Sequence, residues 1–148
     1  MLYASMAQVV VAFVDVSNEA VRAARFASSL AAKTGADLVL VAPMERLPAP
    51  RPAMIPRQAV EEIRLAADLD AWVEAGRTLD EIRRDPLVCD EAEVHPLDAA
   101  DDPIASLERV LAARECLLLV FPREGPWTVR TVRSTVSART SLPVAVVP

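Results

Sequence analysis

Between Phe121 and Trp127 the chain reads Phe121-Pro122-Arg123-Glu124-Gly125-Pro126-Trp127, after an apolar run and before a helical stretch. In an α/β protein this is the place of a phosphate cradle, where backbone N–H groups approach an anion with no Cβ in the way. The whole chain holds three glycines, and one of them, Gly125, lies here. The position calls for anion binding, yet the residue type that enables it is nearly missing.

Other side chains capable of chemistry are scattered. Ser134, Thr135 and Ser137 offer hydroxyls, but no Gly-x-Ser-x-Gly elbow accompanies them and the lone histidine, His95, is not placed to serve them. No catalytic constellation is expected, so the chain does not read as an enzyme. His95 can titrate near neutral pH; without partners at metal-ligand spacing it reads as a surface residue. Cys89 and Cys116 are too few for a disulfide framework or a metal site and read as thiols. Asp98, Asp101 and Asp102 suggest a hard-cation site, although helix capping and solvation explain them better. Arg123, Arg130, Arg133 and Arg139 form a basic group, with neighbouring acids and no interleaved aromatics, as on a solvated helix face. Trp127 either closes over the pocket mouth or buries itself against the C-terminal helix, and packing is the favoured reading.

The elements that must position these residues follow from periodicity. Val9–Val14 is short, apolar and non-alternating, as in a strand buried on both faces of a parallel sheet. Ser17 or Asn18 can cap the next helix, whose Val21, Ala24, Ala27, Leu30 and Ala31 recur at helical spacing before Gly35. Asp37–Ala42 is a second buried strand, and the pair makes a right-handed βαβ crossover. From Pro43 to Pro56 five prolines in fourteen residues block regular structure; this 43–56 loop is a mobile lid or a long surface connection. Residues 57–84 fit one or two helices, with Gly76 a possible break. Leu87–Leu97 is a weaker strand, placed at a sheet edge by its charges and Pro96. Asp101-Asp102-Pro103 starts another helix. Leu117–Phe121, a helix over 128–140 and Val144–Val147 complete a β-α-β-α-β-α-β-α-β order. That order predicts an α/β fold with an open, mostly parallel five-stranded sheet and helices on both faces.

Composition agrees with one globular domain spanning residues 1–148: hydrophobic residues are 53% of the chain and charges interrupt them throughout. The longest apolar runs fall far below the ~20 residues that cross a bilayer, so no membrane span is expected. A net charge of −5 gives no field to attract nucleic acid. Met1–Gln8 leads straight into a strand-like run, and a cytoplasmic location is the expectation.

In three segments the chain resembles the universal stress protein family, over nearly its whole length. Val9–Ser17 is similar to the family's first strand, which closes on an aspartate and a nearby serine; Ala20–Val41 to its alanine-rich first helix and the following "TGA-D-L-x-L-V". Ser134-Thr135-Val136-Ser137 with Pro143–Val147 is similar to the last helix and the "P-V-x-V-V" terminal strand. The resemblance implies a stress-response or regulatory module that pairs as a homodimer through Val144–Val147. It also implies a ligand crevice at Asp15, matching the aspartate that closes the family's first strand, and at Thr135, matching a phosphate-contacting hydroxyl.

ATP-binding members carry Gly, two residues, Gly, nine residues, then Gly and Ser or Thr. At that spacing the pattern falls here on Phe121, Glu124 and Ser134-Thr135, so all three glycines are replaced. Phe121 brings bulk where backbone must come close. Glu124 brings a carboxylate towards a polyphosphate, a repulsion of roughly a few kcal/mol at ~4–6 Å, against the about 8 kcal/mol of a micromolar affinity. The expectation is therefore no cofactor and no tight ATP binding. The alternative is a nucleotide- or small-anion-binding switch, a weak ATPase with a remodelled loop, that uses Asp15, Arg123, Ser134 and Thr135.

Overall fold

The computed structural model describes residues 7–15, 17–44, 56–97, 102–123 and 127–148. Nine elements alternate: β1 (Gln8–Phe13), α1 (Asn18–Thr34), β2 (Asp37–Pro43), α2 (Arg57–Arg83), β3 (Glu93–Leu97), α3 (Pro103–Leu111), β4 (Glu115–Pro122), α4 (Trp127–Arg139) and β5 (Val144–Val147). The strands form one parallel sheet in the order β3-β2-β1-β4-β5. This is the architecture the alternation predicts, with β3 at an edge as its composition requires.

Each central strand is apolar on both faces because both faces are covered. Val10, Ala12 and Val14 of the first strand region face α1 and α2; Val9, Val11 and Phe13 face α3 and α4. Helix α1 meets the sheet with alanines, Ala20, Ala23, Ala24, Ala27 and Ala31, all buried, so its axis lies close to the strands. It starts where the Ser17 hydroxyl accepts the Ala20 N–H at 3.2 Å and ends at Gly35, φ +72°, the left-handed closure that favours glycine. Strand β4 carries a bulge: Val9 pairs with Cys116 and Val10 with Leu118. The extra residue lets Leu117 and Leu118 both face α1, while Cys116 faces α3.

Of the two readings open for residues 57–84, the single helix holds: α2 runs unbroken over Arg57–Arg83, through Gly76. Its apolar residues are divided: Leu79 and Ile82 are buried, whereas Ile63, Leu69, Trp72 and Val73 are exposed. The proline-rich 43–56 segment lies mostly outside the described residues; Pro43 ends β2 and Pro56 precedes α2.

Candidate functional site

The strand order reverses between β1 and β4, and the chain leaves these two strands towards opposite faces, into α1 and α4. Open α/β sheets bind ligands in the crevice this leaves beyond the strand ends. Two of the four predicted site residues, Asp15 and Arg123, sit there, each just past the end of its strand.

Asp15 is half-buried. Its Oδ1 accepts the Ser17 N–H at 2.6 Å, and Ser17 in turn caps α1, so the carboxylate is oriented by the same turn that starts the helix. Its Oδ2 is buried and has no hydrogen-bond partner among the described residues. A buried acceptor left unmade is costly, and among the described residues of the crevice it is the polar atom that asks for a donor.

Arg123 is exposed, and both its backbone groups are engaged: its N–H donates to the Val147 carbonyl at 2.9 Å, and its carbonyl accepts from Arg133 Nη1 at 3.5 Å. Ser134 and Thr135 lie two turns into α4, roughly 10 Å along the axis from its start. Ser134 is exposed. The Thr135 hydroxyl donates to the Thr131 carbonyl of its own helix at 2.9 Å. Among the described residues neither makes a hydrogen bond to Asp15 or Arg123.

Phe121 corrects the expectation made for it. Its side chain does not stand in the loop; it belongs to β4, is fully buried, and stacks on Phe13 with ring centroids 4.3 Å apart and planes 8° from parallel. The pair belongs to the core on the α3/α4 face of the sheet. Strand geometry continues through Pro122, which pairs with Val147. At the end of the strand neither backbone position offers a free N–H: Pro122 has none, and the Arg123 N–H donates to the Val147 carbonyl at 2.9 Å. No glycine-like left-handed residue occurs in this turn among those described, the positive-φ non-glycine residues being Ala112 and Ala113. Sequence reasoning weighed the side chains and missed this amide accounting, although the proline was visible. Glu124, Gly125 and Pro126 lie outside the described residues, as do the side chains of Trp127 and Thr128.

The other candidates resolve into structural roles. Asp102 caps α3 by accepting the Ile104 N–H at 3.0 Å, and also meets Arg139 at 3.5 Å; Asp98 and Asp101 lie outside the described residues. No cluster of described residues could hold a metal ion. His95 Nε2 is 3.0 Å from Glu93 Oε2, and Arg114 Nη2 is 2.7 Å from the same oxygen. Arg114 chiefly, then His95, holds the Glu93 carboxyl below the usual carboxylate range. Burial pushes the Cys116 thiol up to about 11, so it is not a nucleophile at neutral pH; Cys89 is exposed. Two clefts, of about 690 and 500 Å³, open at the N-terminal end of the sheet, around Asp85 and Cys89 and around Asp37 and Arg114. Neither contains Asp15 or Arg123. Among the described residues no helix is long and apolar enough to cross a membrane.

No protein-family profile matches the chain, and no curated protein does. Solved structures do. A universal stress protein, UspA, from Lactobacillus plantarum superposes with a TM-score of 0.60 at 16% identity, over 97% of this chain and 99% of that one. The universal stress protein from Archaeoglobus fulgidus in complex with dAMP gives 0.54 at 21% identity, over 100% of both chains. A universal stress protein in complex with cAMP gives 0.53 at 20%, over 97% and 99%. Over its full length, then, this chain has the universal stress protein fold.

Proposed function

We propose that the protein is a stress-response or regulatory module of the universal stress protein type, cytoplasmic and homodimeric, acting without a catalytic step and without tight ATP binding. One observation carries the reading: where a phosphate cradle needs free backbone N–H groups, Pro122 has none and the Arg123 N–H is bonded to Val147 at 2.9 Å. ATP, the ligand the fold family implies, does not fit this strand end. The homodimer would form along β5, an edge strand of four residues paired on one side only, with Val146 44% exposed. A bare apolar edge is an association surface.

Titration calorimetry with ATP and Mg²⁺ tests the reading. Weak or undetectable heat is expected; a dissociation constant below about 50 μM overturns it. Glu124→Gly with Pro122→Ala, which removes a carboxylate and restores an amide, should raise affinity. No gain at all would refute the cradle argument even if ATP binds poorly.

A second reading rests on Asp15 Oδ2, buried and unpartnered at the crevice. Proteins of this fold have been crystallised with dAMP and cAMP, and a nucleoside monophosphate asks for less of a cradle than a triphosphate. Here the base or ribose would donate to Asp15, and the guanidinium of Arg123 or Arg133 would meet the phosphate. Under this reading AMP or cAMP binds where ATP does not, and Asp15→Asn weakens it about tenfold. Equal affinity in the variant excludes it.

A further inference from the structure

The buried residues of α2 lie in its C-terminal part: Ala75, Thr78, Leu79 and Ile82 are set against β2 and β3, with Ala71 packed at their edge. Over the preceding turns Leu65, Leu69, Trp72 and Val73 remain between 50% and 69% exposed. Leu65, Leu69, Trp72 and Gly76 follow one another at steps of four, three and four residues, the spacing of a helix–helix seam. At 3.6 residues per turn this stripe lies roughly 100° around the helix from its packed face, with Val73 beside it.

With Val73 beside it the exposed stripe amounts to roughly 400–500 Å², in the range of the largest apolar patch on a typical monomer, a size that is often functional. Two such stripes face to face would bury at most about 1,000 Å², at the threshold for a specific interface.

We propose that a second copy of this chain covers the stripe, with the two α2 helices antiparallel about a two-fold axis. The stripe is complementary to itself in that arrangement. Leu69 of each copy meets Trp72 of the other, and Leu65 meets Gly76. Gly76 is a notch and not a site of tight internal packing, since a Cβ built there meets nothing within 4 Å. The flanks agree: Ala66 runs beside Val73 and Asp68 beside Ala75, so no two acids oppose each other at the centre. The interface lies at the β3 side of the sheet, with β5 at the other edge. It uses a different face from β5, so the two contacts together would build an assembly larger than a dimer.

Trp72 reports on it directly. In a Trp127→Phe background, the emission of Trp72 should shift to the blue as concentration rises from nanomolar to high micromolar. Leu69→Lys and Gly76→Leu should each weaken that transition by about tenfold or more. Both positions face solvent or open space, and far-UV circular dichroism should show the fold intact. Leucine favours helix over glycine, so lost association in Gly76→Leu cannot come from helix melting. A substitution in β5 should leave the Trp72 signal unchanged. The proposal is overturned by Trp72 emission that stays at the wavelength of an exposed tryptophan over the whole concentration range, or by association that Gly76→Leu leaves intact.

Discussion

Phe121 is the residue through which sequence and structure differ most instructively. From its position in the glycine pattern it looks like an obstruction in a loop; in the fold it is a core residue stacked on Phe13. Phe121→Ala should therefore cost ~3–5 kcal/mol in chemical denaturation, the range for a buried aromatic. A loss under about 1 kcal/mol would mean that the stack contributes little. Arg25 and Asp85 allow a pH test. Their contact is bidentate, at 2.7 and 3.1 Å, and Arg25 first, then the Leu87 N–H, holds the Asp85 carboxyl below its ordinary range. A depressed carboxylate contributes stability above its unfolded pKa and loses it as pH falls through the folded value. Arg25→Ala should accordingly destabilise at pH 7 and matter progressively less in acid, read as converging denaturation midpoints. A difference that grows on acidification would reverse the assignment.

Among the elements, α1 was legible because each of its signals is local. Ser17, the alanine face and Gly35 lie within one short stretch, and each acts on backbone groups a few residues away. Helix α3 was legible at its start for the same reason, through Asp102 and Pro103, but not at its end. It closes on Ala112 at φ +49°, with Ala113 at φ +61°, in the left-handed region where a Cβ is unfavourable. Arg114 supports that closure from outside the helix, donating to Val110 and Leu111 carbonyls at 2.8 and 2.9 Å. Ala112→Gly should raise stability by ~0.5–1 kcal/mol, since relief of the strained φ outweighs the added chain entropy. A thermal midpoint that falls would show that the alanine geometry is not strained. Helix α2 was legible as helix but not in its orientation, because its apolar residues occupy two faces and only one of them can rest on the sheet.

For the whole molecule, the sheet has two edges and they are treated differently. β3 carries charge and Pro96, whereas β5 carries four small apolar residues. The ladder to β4 uses the Pro143 and Val147 carbonyls, which accept from Leu119 and Arg123. Alternation along the strand then points the backbone groups of Val144 and Val146 outward. Val146→Pro removes one outward donor and leaves the bonds to β4 in place, so it should halve the mass seen by light scattering without unfolding the chain. An unchanged mass would move the dimer contact away from β5.

The amino-acid sequence by itself determined the element order, the parallel sheet and its edges, because buried strands, caps and crossovers are written in hydrophobic period and local hydrogen bonding. It also showed that the glycines of a phosphate loop are absent. Only the tertiary structure decided what stands in their place. Which face of the sheet Phe121 enters, and so whether it meets Phe13, depends on the parity of β4, which the bulge at Leu117 resets, and whether the Arg123 amide is free depends on β5 lying beside it. Both are pairings between segments far apart in the chain, and no local pattern encodes them.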